Sequence, residues 1–164
     1  ESDVASDVYK SQPDVGGVVG RVLATAQNGL EVLRFGGFQT DTEPAPFAIV
    51  ETEKMFRLRR YFPDEHADDP SVVLVPPMMV SANVYDVTEL NGAVSILHRN
   101  GIAPWVIDFG SPDTEEGGME RNLADHVVAI SRAIDLIVEA TGRDVHLAGY
   151  SQGGMFAYLS LIHI

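Results

Sequence analysis

The chain has 164 residues, of which 45% are hydrophobic, and this balance predicts one globular domain with a buried core. Its 11 basic and 24 acidic side chains give a net charge of -13, which argues against nucleic acid and anionic membrane surfaces as partners. Cysteine is absent, which excludes disulfides, thiolate metal sites and a cysteine nucleophile, and makes the cytoplasm the default prediction for location.

Residues 1–40 are predicted to form a polar lead-in and one amphipathic helix ahead of the main domain. Apolar side chains recur at helical spacing from Val15 to Phe35, and a pair of glycines ends the pattern. We interpret this helix as a cap packed on the domain, with a lipid or partner contact as the alternative. The most apolar stretch, Val72 to Val80, contains two prolines and is shorter than the roughly 18 residues of a membrane-spanning helix, so no transmembrane segment is predicted.

The following residues alternate between strand and helix patterns. Two short strands are predicted at Phe47 to Glu51 and at Met55 to Phe62, pairing as a hairpin, and a third strand at Ser71 to Val75. A short helix is predicted from Asn91 to Arg99. Ala103 to Asp108 has the continuous apolar character of a strand buried on both faces, which indicates a parallel pair.

The most regular helix pattern runs from Glu120 to Thr141, where apolar side chains form one stripe and Gly142 stands at the expected end. Asp144 to Ala148 is the next predicted strand. Strands and helices that alternate with short connections predict a doubly wound α/β sheet, whose ligands bind beyond the carboxyl ends of the strands. The loops after Val75, Asp108 and Ala148 are therefore expected to share one edge of the sheet.

The motif Gly149-Tyr150-Ser151-Gln152-Gly153 lies between that last strand and a helix-like apolar run. This strand, turn and helix setting is typical of a nucleophile elbow. A serine on such a strained turn crowds the residues two before and two after it, so glycine suits both positions, and Gly149 and Gly153 stand there. The motif predicts Ser151 as a nucleophile, and the alternative is a serine in an ordinary glycine-rich turn.

Two backbone N–H groups are predicted to stabilise the oxyanion that forms when a serine attacks a carbonyl. The N–H of Gln152 is the first, because it opens the helix whose N-terminus points at the developing charge. The second is expected from the loop after the strand that ends at Val75. Met79 is the predicted donor, with Met78 as the alternative, and the side chains of both also suit the lining of an apolar acyl pocket.

At these motifs the chain resembles the polyhydroxyalkanoate synthases and their α/β-hydrolase relatives. The resemblance covers Pro46 to Tyr61, the Val75-Pro76-Pro77 loop, Val106 to Pro112 and His146 to Gly154, and Phe109 replaces a tryptophan of the family. It implies the N-terminal half of an α/β-hydrolase fold, with Ser151 at the nucleophile position and Met79 at the loop oxyanion position.

One departure from that family concerns the nucleophile itself. The polyester synthases have cysteine at the position of Ser151. A thiolate suits repeated thioester exchange, whereas a serine activated by histidine suits hydrolysis or a single acyl transfer. The resemblance therefore argues for an esterase, thioesterase or acyltransferase rather than for a polymerase.

The acid and the base of an α/β-hydrolase follow the nucleophile in the chain, in the order Ser, Asp or Glu, then His. Only 13 residues follow Ser151, none is acidic, and His163 would lie on the helix that begins at the elbow, pointing away. His146, on a predicted core strand, is expected to be buried and structural. None of the histidines has metal-ligand spacing. The remaining upstream candidates for acid and base are Asp86, Asp108, His66, His98 and His126.

Residues 159–164 differ in origin from the rest of the chain in our interpretation. The segment Leu159-Ser160-Leu161-Ile162-His163-Ile164 is the in-frame translation of CTGTCTCTTATACACATC, a transposon mosaic end used in preparing sequencing libraries. The sequence therefore predicts that native coding ends near Tyr158 and that the chain is an N-terminal fragment. Residues 41–158 are then the first part of the α/β-hydrolase domain.

The leading functional prediction is a serine-dependent enzyme that acts on a small-molecule apolar acyl or hydroxyacyl ester or thioester, without cofactor or metal. The chain by itself is expected to be inactive, because a serine without a base is a poor nucleophile. The alternatives are a non-catalytic acyl-binding module with an α/β-hydrolase-like fold, and the hydrolase domain of a larger acyl-activating protein.

Overall fold

The computed structural model describes residues 43–65 and 68–163. The predicted helix at Val15 to Phe35 lies outside these residues, as does His66.

A five-stranded mixed sheet forms the centre of the described domain. Its strands are β1 (Phe47–Thr52), β2 (Arg57–Tyr61), β3 (Ser71–Val75), β4 (Ala103–Asp108) and β5 (Val145–Gly149). They lie in the order β1-β2-β4-β3-β5. The pairs β1–β2 and β2–β4 are antiparallel, and β3 is parallel to both β4 and β5. The predicted hairpin and the predicted parallel strands are confirmed.

Within the described residues three α-helices alternate with the later strands: α1 (Ala93–Arg99), α2 (Leu123–Thr141) and α3 (Gln152–His163). Helix α2 begins three residues later than predicted because Asn122 caps it: the Asn122 side chain accepts from Ala124 N–H at 2.8 Å and Asp125 N–H at 3.2 Å. The Asp125 carboxylate accepts from the Asn122 N–H in return, completing a capping box. Gly142, at a φ of 66°, ends the helix as predicted.

Both faces of the sheet are covered at its inner strands, and the alternation along β4 shows how. Trp105 and Ile107 face the side on which α2 and α3 pack, whereas Val106 faces α1 and the 3₁₀ turn at Ala82–Tyr85. All three side chains are buried, as expected for an inner strand of a sheet with parallel pairs. The apolar run that predicted β4 therefore lies where both faces of the sheet exclude water.

The carboxyl ends of β3, β4 and β5 lie at one edge of the sheet because these strands are parallel. The register pairs Val75 with Gly149, so the loop after β3 begins beside the turn that carries Ser151. The predicted shared edge is confirmed, and the candidate site lies there.

Candidate active site

Ser151 lies on the turn between β5 and α3 in a strained backbone conformation. Its φ is 53°, in the left-handed region that residues other than glycine rarely adopt. β5 ends at Gly149 and α3 begins at Gln152, so a strand, a two-residue turn and a helix follow one another without a loop. Ser151 is exposed at the carboxyl edge of the sheet.

The two glycines that flank Ser151 are required by close backbone packing. A β-carbon at Gly153 would overlap the carbonyl group of Val75, and one at Gly149 would overlap the backbone of Gly153 and Gly154. These neighbours are backbone atoms, which cannot rotate out of the way as a flexible side chain does. The glycine spacing thus has the steric cause on which the sequence argument relied.

The loop after β3 contacts the turn through the side chain of Gln152. Its Oε1 accepts a hydrogen bond from the Met78 N–H at 3.1 Å. The Met78 N–H is therefore bonded within the protein itself. The next residue, Met79, is 77% exposed.

Gln152 is the first residue of α3, and the first N–H groups of a helix have no acceptor within the helix. Its N–H lies at the positive end of the helix dipole and one peptide bond from Ser151. The structure thus brings Ser151, Gln152 and the Met78–Met79 segment together at one edge.

Tyr85 is a member of this site that the sequence analysis missed. Its hydroxyl donates to the Val75 carbonyl at 2.7 Å and accepts from the Tyr150 N–H at 3.0 Å. It therefore joins the end of β3 to the residue that precedes Ser151. No local pattern around Tyr85 indicated this contact, since its partners are ten and 65 residues away in the chain.

Beside Met79, a polar cavity of about 280 Å³ is lined by an ionic cluster. Asp108 pairs with Arg59 at 2.6 Å and Arg57 at 3.3 Å, and Arg57 also pairs with Glu115 at 2.8 Å. Arg57 and Arg59 are two residues apart on β2, so their side chains lie on the same face of the sheet. This spacing is the signal in the sequence from which the cluster could have been predicted.

The cluster holds Asp108 as a carboxylate. Burial acts to raise the pKa of Asp108, but the hydrogen bond from the Gly110 N–H and the pairing with Arg59 and Arg57 outweigh it, so the pKa lies below its ordinary value. Asp86, the other upstream candidate for the acid, is buried and accepts from the Ala45 N–H at 3.0 Å. Both carboxylates therefore have structural partners.

Two of the described histidines, His98 and His126, make contacts away from Ser151. His98 stacks on Phe62 and lies 3.0 Å from Glu65. His126 is buried between Phe109 and Phe156, and its Nδ1 lies 2.8 Å from the Asn122 carbonyl.

The prediction that His146 is buried is wrong. β5 pairs only with β3 among the described strands and is an edge of the sheet, so His146 is exposed. His163 lies on α3, as the sequence predicted.

Within residues 43–65 and 68–163, no group of three or more His, Asp or Glu side chains is arranged to hold a metal ion. Over the same ranges, no helix combines the length and apolar character needed to cross a membrane.

The sheet order, the parallel strands that follow the antiparallel pair, and the strained serine turn define a class of fold. They match part of an α/β-hydrolase fold.

Comparison with known proteins identifies individual proteins to which the chain is similar. No protein-family model matches the chain. Over 110 residues, or 66% of its length, it is 26% identical to poly(3-hydroxyalkanoate) polymerase 2 of Ectopseudomonas oleovorans. Two solved structures are similar: a Bacillus licheniformis lipase in mature form (TM-score 0.47, 20% identity, 74% of this chain and 42% of that chain) and esterase B from Lactobacillus rhamnosis inhibited by a tributyrin phosphonate (TM-score 0.45, 19% identity, 90% and 50%).

The chain spans 19% of the length of the polymerase and half or less of the two solved enzymes.

Proposed function

We propose that Ser151 is the nucleophile of an enzyme that transfers acyl groups from apolar acyl or hydroxyacyl esters or thioesters. The observation that carries the proposal is the strained φ of 53° at Ser151. Strain of this kind persists only where surrounding contacts over-determine it, and it is concentrated at functional sites. An ordinary glycine-rich turn would place a glycine, not a serine, at this φ.

In the proposed reaction, the Ser151 oxygen forms a bond to the substrate carbonyl carbon, and the tetrahedral oxyanion lies against the N–H groups of Gln152 and Met79. Collapse breaks the bond to the leaving alcohol or thiol, which takes the proton that a general base removed from the Ser151 hydroxyl. Water or an acceptor alcohol then releases the acyl group and restores the serine hydroxyl. Water as acceptor makes the enzyme an esterase or thioesterase, and an alcohol makes it an acyltransferase.

The serine proton requires a general base, and no described histidine or carboxylate hydrogen-bonds to Ser151. In α/β-hydrolases the base and its acidic partner come after the nucleophile in the chain. Because the chain spans half or less of the solved enzymes it resembles, the proposed activity is that of the whole protein.

The test is covalent labelling of the protein expressed from its complete native gene with a fluorophosphonate probe, which reacts with activated serines. We expect labelling of the native protein and none of Ser151→Ala. Ser131→Ala is the matched control, since the Ser131 hydroxyl bonds to the Val127 carbonyl within α2, and it is expected to label as the native protein does. Equal labelling of Ser151→Ala and native protein would refute the nucleophile assignment, and no labelling of either would favour a non-catalytic acyl-binding module.

A further inference from the structure

Tyr85 is a buried residue whose hydroxyl contacts two segments of the candidate site. Tyr85 is the last residue of the 3₁₀ turn at Ala82–Tyr85 and is 8% exposed. The hydroxyl donates to the Val75 carbonyl and accepts from the Tyr150 N–H, at 2.7 Å and 3.0 Å. One hydroxyl group thus uses both its donor and an acceptor lone pair on backbone atoms of different loops.

Those two backbone groups are adjacent to the proposed reacting groups. Val75 is the last residue of β3 and leads into the loop that contains Met79, and Tyr150 directly precedes Ser151. The direct hydrogen bond between the Tyr150 N–H and the Val75 carbonyl is long, at 3.4 Å. The shorter contacts through the Tyr85 hydroxyl therefore make the firmer connection between the two segments.

The turn that carries Tyr85 is itself anchored on the domain. The Ser81 hydroxyl accepts from the Asn83 N–H, and the Asn83 carboxamide accepts from Arg59 at 2.8 Å. Asp86, the residue after Tyr85, accepts a hydrogen bond from the Ala45 N–H. Fixed at its base in this way, the tyrosine ring can hold the two loops against each other.

The hydroxyl must be neutral to donate to a carbonyl. Burial raises the pKa of Tyr85 above its ordinary value, although the hydrogen bond from the Tyr150 N–H acts in the opposite direction. Tyr85 is therefore a phenol, with its donor available, throughout the neutral range.

We propose that Tyr85 is a positioning residue that sets the distance between Ser151 and the N–H of Met79. The inference rests on the proposed function, since it assigns a role in the same site. An oxyanion exists in the transition state and not in the bound substrate, so misplacing its donor lowers the rate of the chemical step and leaves substrate binding unchanged.

The experiment compares native protein and Tyr85→Phe, expressed from the complete gene, in hydrolysis of p-nitrophenyl butyrate and in the rate of fluorophosphonate labelling. We expect kcat and the labelling rate to fall together by about 10-fold to 100-fold, the range associated with small displacements of catalytic groups, with KM unchanged. Tyr158→Phe is the matched control: it removes a hydroxyl from an exposed tyrosine and is expected to leave both rates as in the native protein.

Two further variants separate positioning from packing. Replacement of Tyr85 by 4-aminophenylalanine keeps a donor toward Val75 and is expected to recover part of kcat. Tyr85→Leu lacks both the ring and the hydroxyl, so its kcat is expected to be lower than that of Tyr85→Phe. Native kcat in Tyr85→Phe with only a lower Tm would overturn the positioning role and leave the ring as packing. Labelling of Ser151→Ala at the native rate would instead defeat the proposed function, so the two failures are distinguishable.

Discussion

At the scale of single residues, backbone packing leaves no room for a β-carbon two residues before Ser151 or two residues after it. Gly153 lies against the Val75 carbonyl, and Gly149 lies against the first turn of α3. The requirement for glycine at these two positions arises from atoms within a few residues and from the neighbouring strand. It was predictable from the motif because a strained turn between a strand and a helix crowds the residues two before and two after its tip.

We expect Gly153→Ala to lower the free energy of unfolding by about 3 kcal/mol, because the new methyl forces the turn away from β3. Gly117→Ala is the comparison: its φ is 66° with no atom near the new methyl, so it carries only conformational strain, about 1 kcal/mol. Urea denaturation measures both. Equal losses in the two variants would mean that the overlap with Val75 is relieved without cost.

At the scale of elements, local sequence patterns predict the strands and α2. Individual contacts determine the residues at which these elements begin and end. The apolar stripe predicts α2 but places its start too early, because Glu120 belongs to a short 3₁₀ segment, Gly118–Glu120. The cap at Asn122 decides where the helix begins, since its side chain holds two N–H groups that the helix leaves unpaired.

We expect Asn122→Ala to destabilise the protein by about 1 kcal/mol through loss of these cap hydrogen bonds. Asn122→Ser, which keeps a side-chain acceptor, is expected to retain most of the stability. The midpoint of urea denaturation at constant m-value is the measurement. Identical midpoints for the alanine and serine variants would contradict the capping role.

At the scale of the whole molecule, the ionic cluster around Asp108 joins parts of the chain that are distant in sequence. Arg57 and Arg59 come from β2, Asp108 from the end of β4, and Glu115 from the loop beyond it. With a side chain only 8% exposed, Asp108 holds its charge because two guanidinium groups and the Gly110 N–H surround it.

We expect Asp108→Asn to reduce stability at neutral pH by about 3 kcal/mol, because it leaves Arg59 partly buried without its partner carboxylate. Asp144→Asn, at an exposed position, is the control and is expected to change little.

The same ion cluster predicts a pH dependence with a definite sign. The folded pKa of Asp108 lies below its unfolded value, so its contribution is fully present above about pH 4 and is lost as pH falls through the folded pKa. The free energy of unfolding, measured from pH 7 to pH 2, should fall less steeply at acid pH in Asp108→Asn than in the native protein. An equally steep fall in both proteins would contradict this assignment.

The sequence by itself determined the alternation of strands and helices and the turn at Ser151, because hydrophobic period, helix caps and glycine spacing act over a few neighbouring residues. Only the tertiary structure decided which groups meet across the sheet. His146 is exposed because β5 is an edge strand, and Tyr85 joins Val75 to Tyr150 because β3 and β5 are adjacent. Hydrogen bonds between residues tens of positions apart depend on the order of the strands in the sheet. The local patterns from which the elements were predicted contain no information on that order.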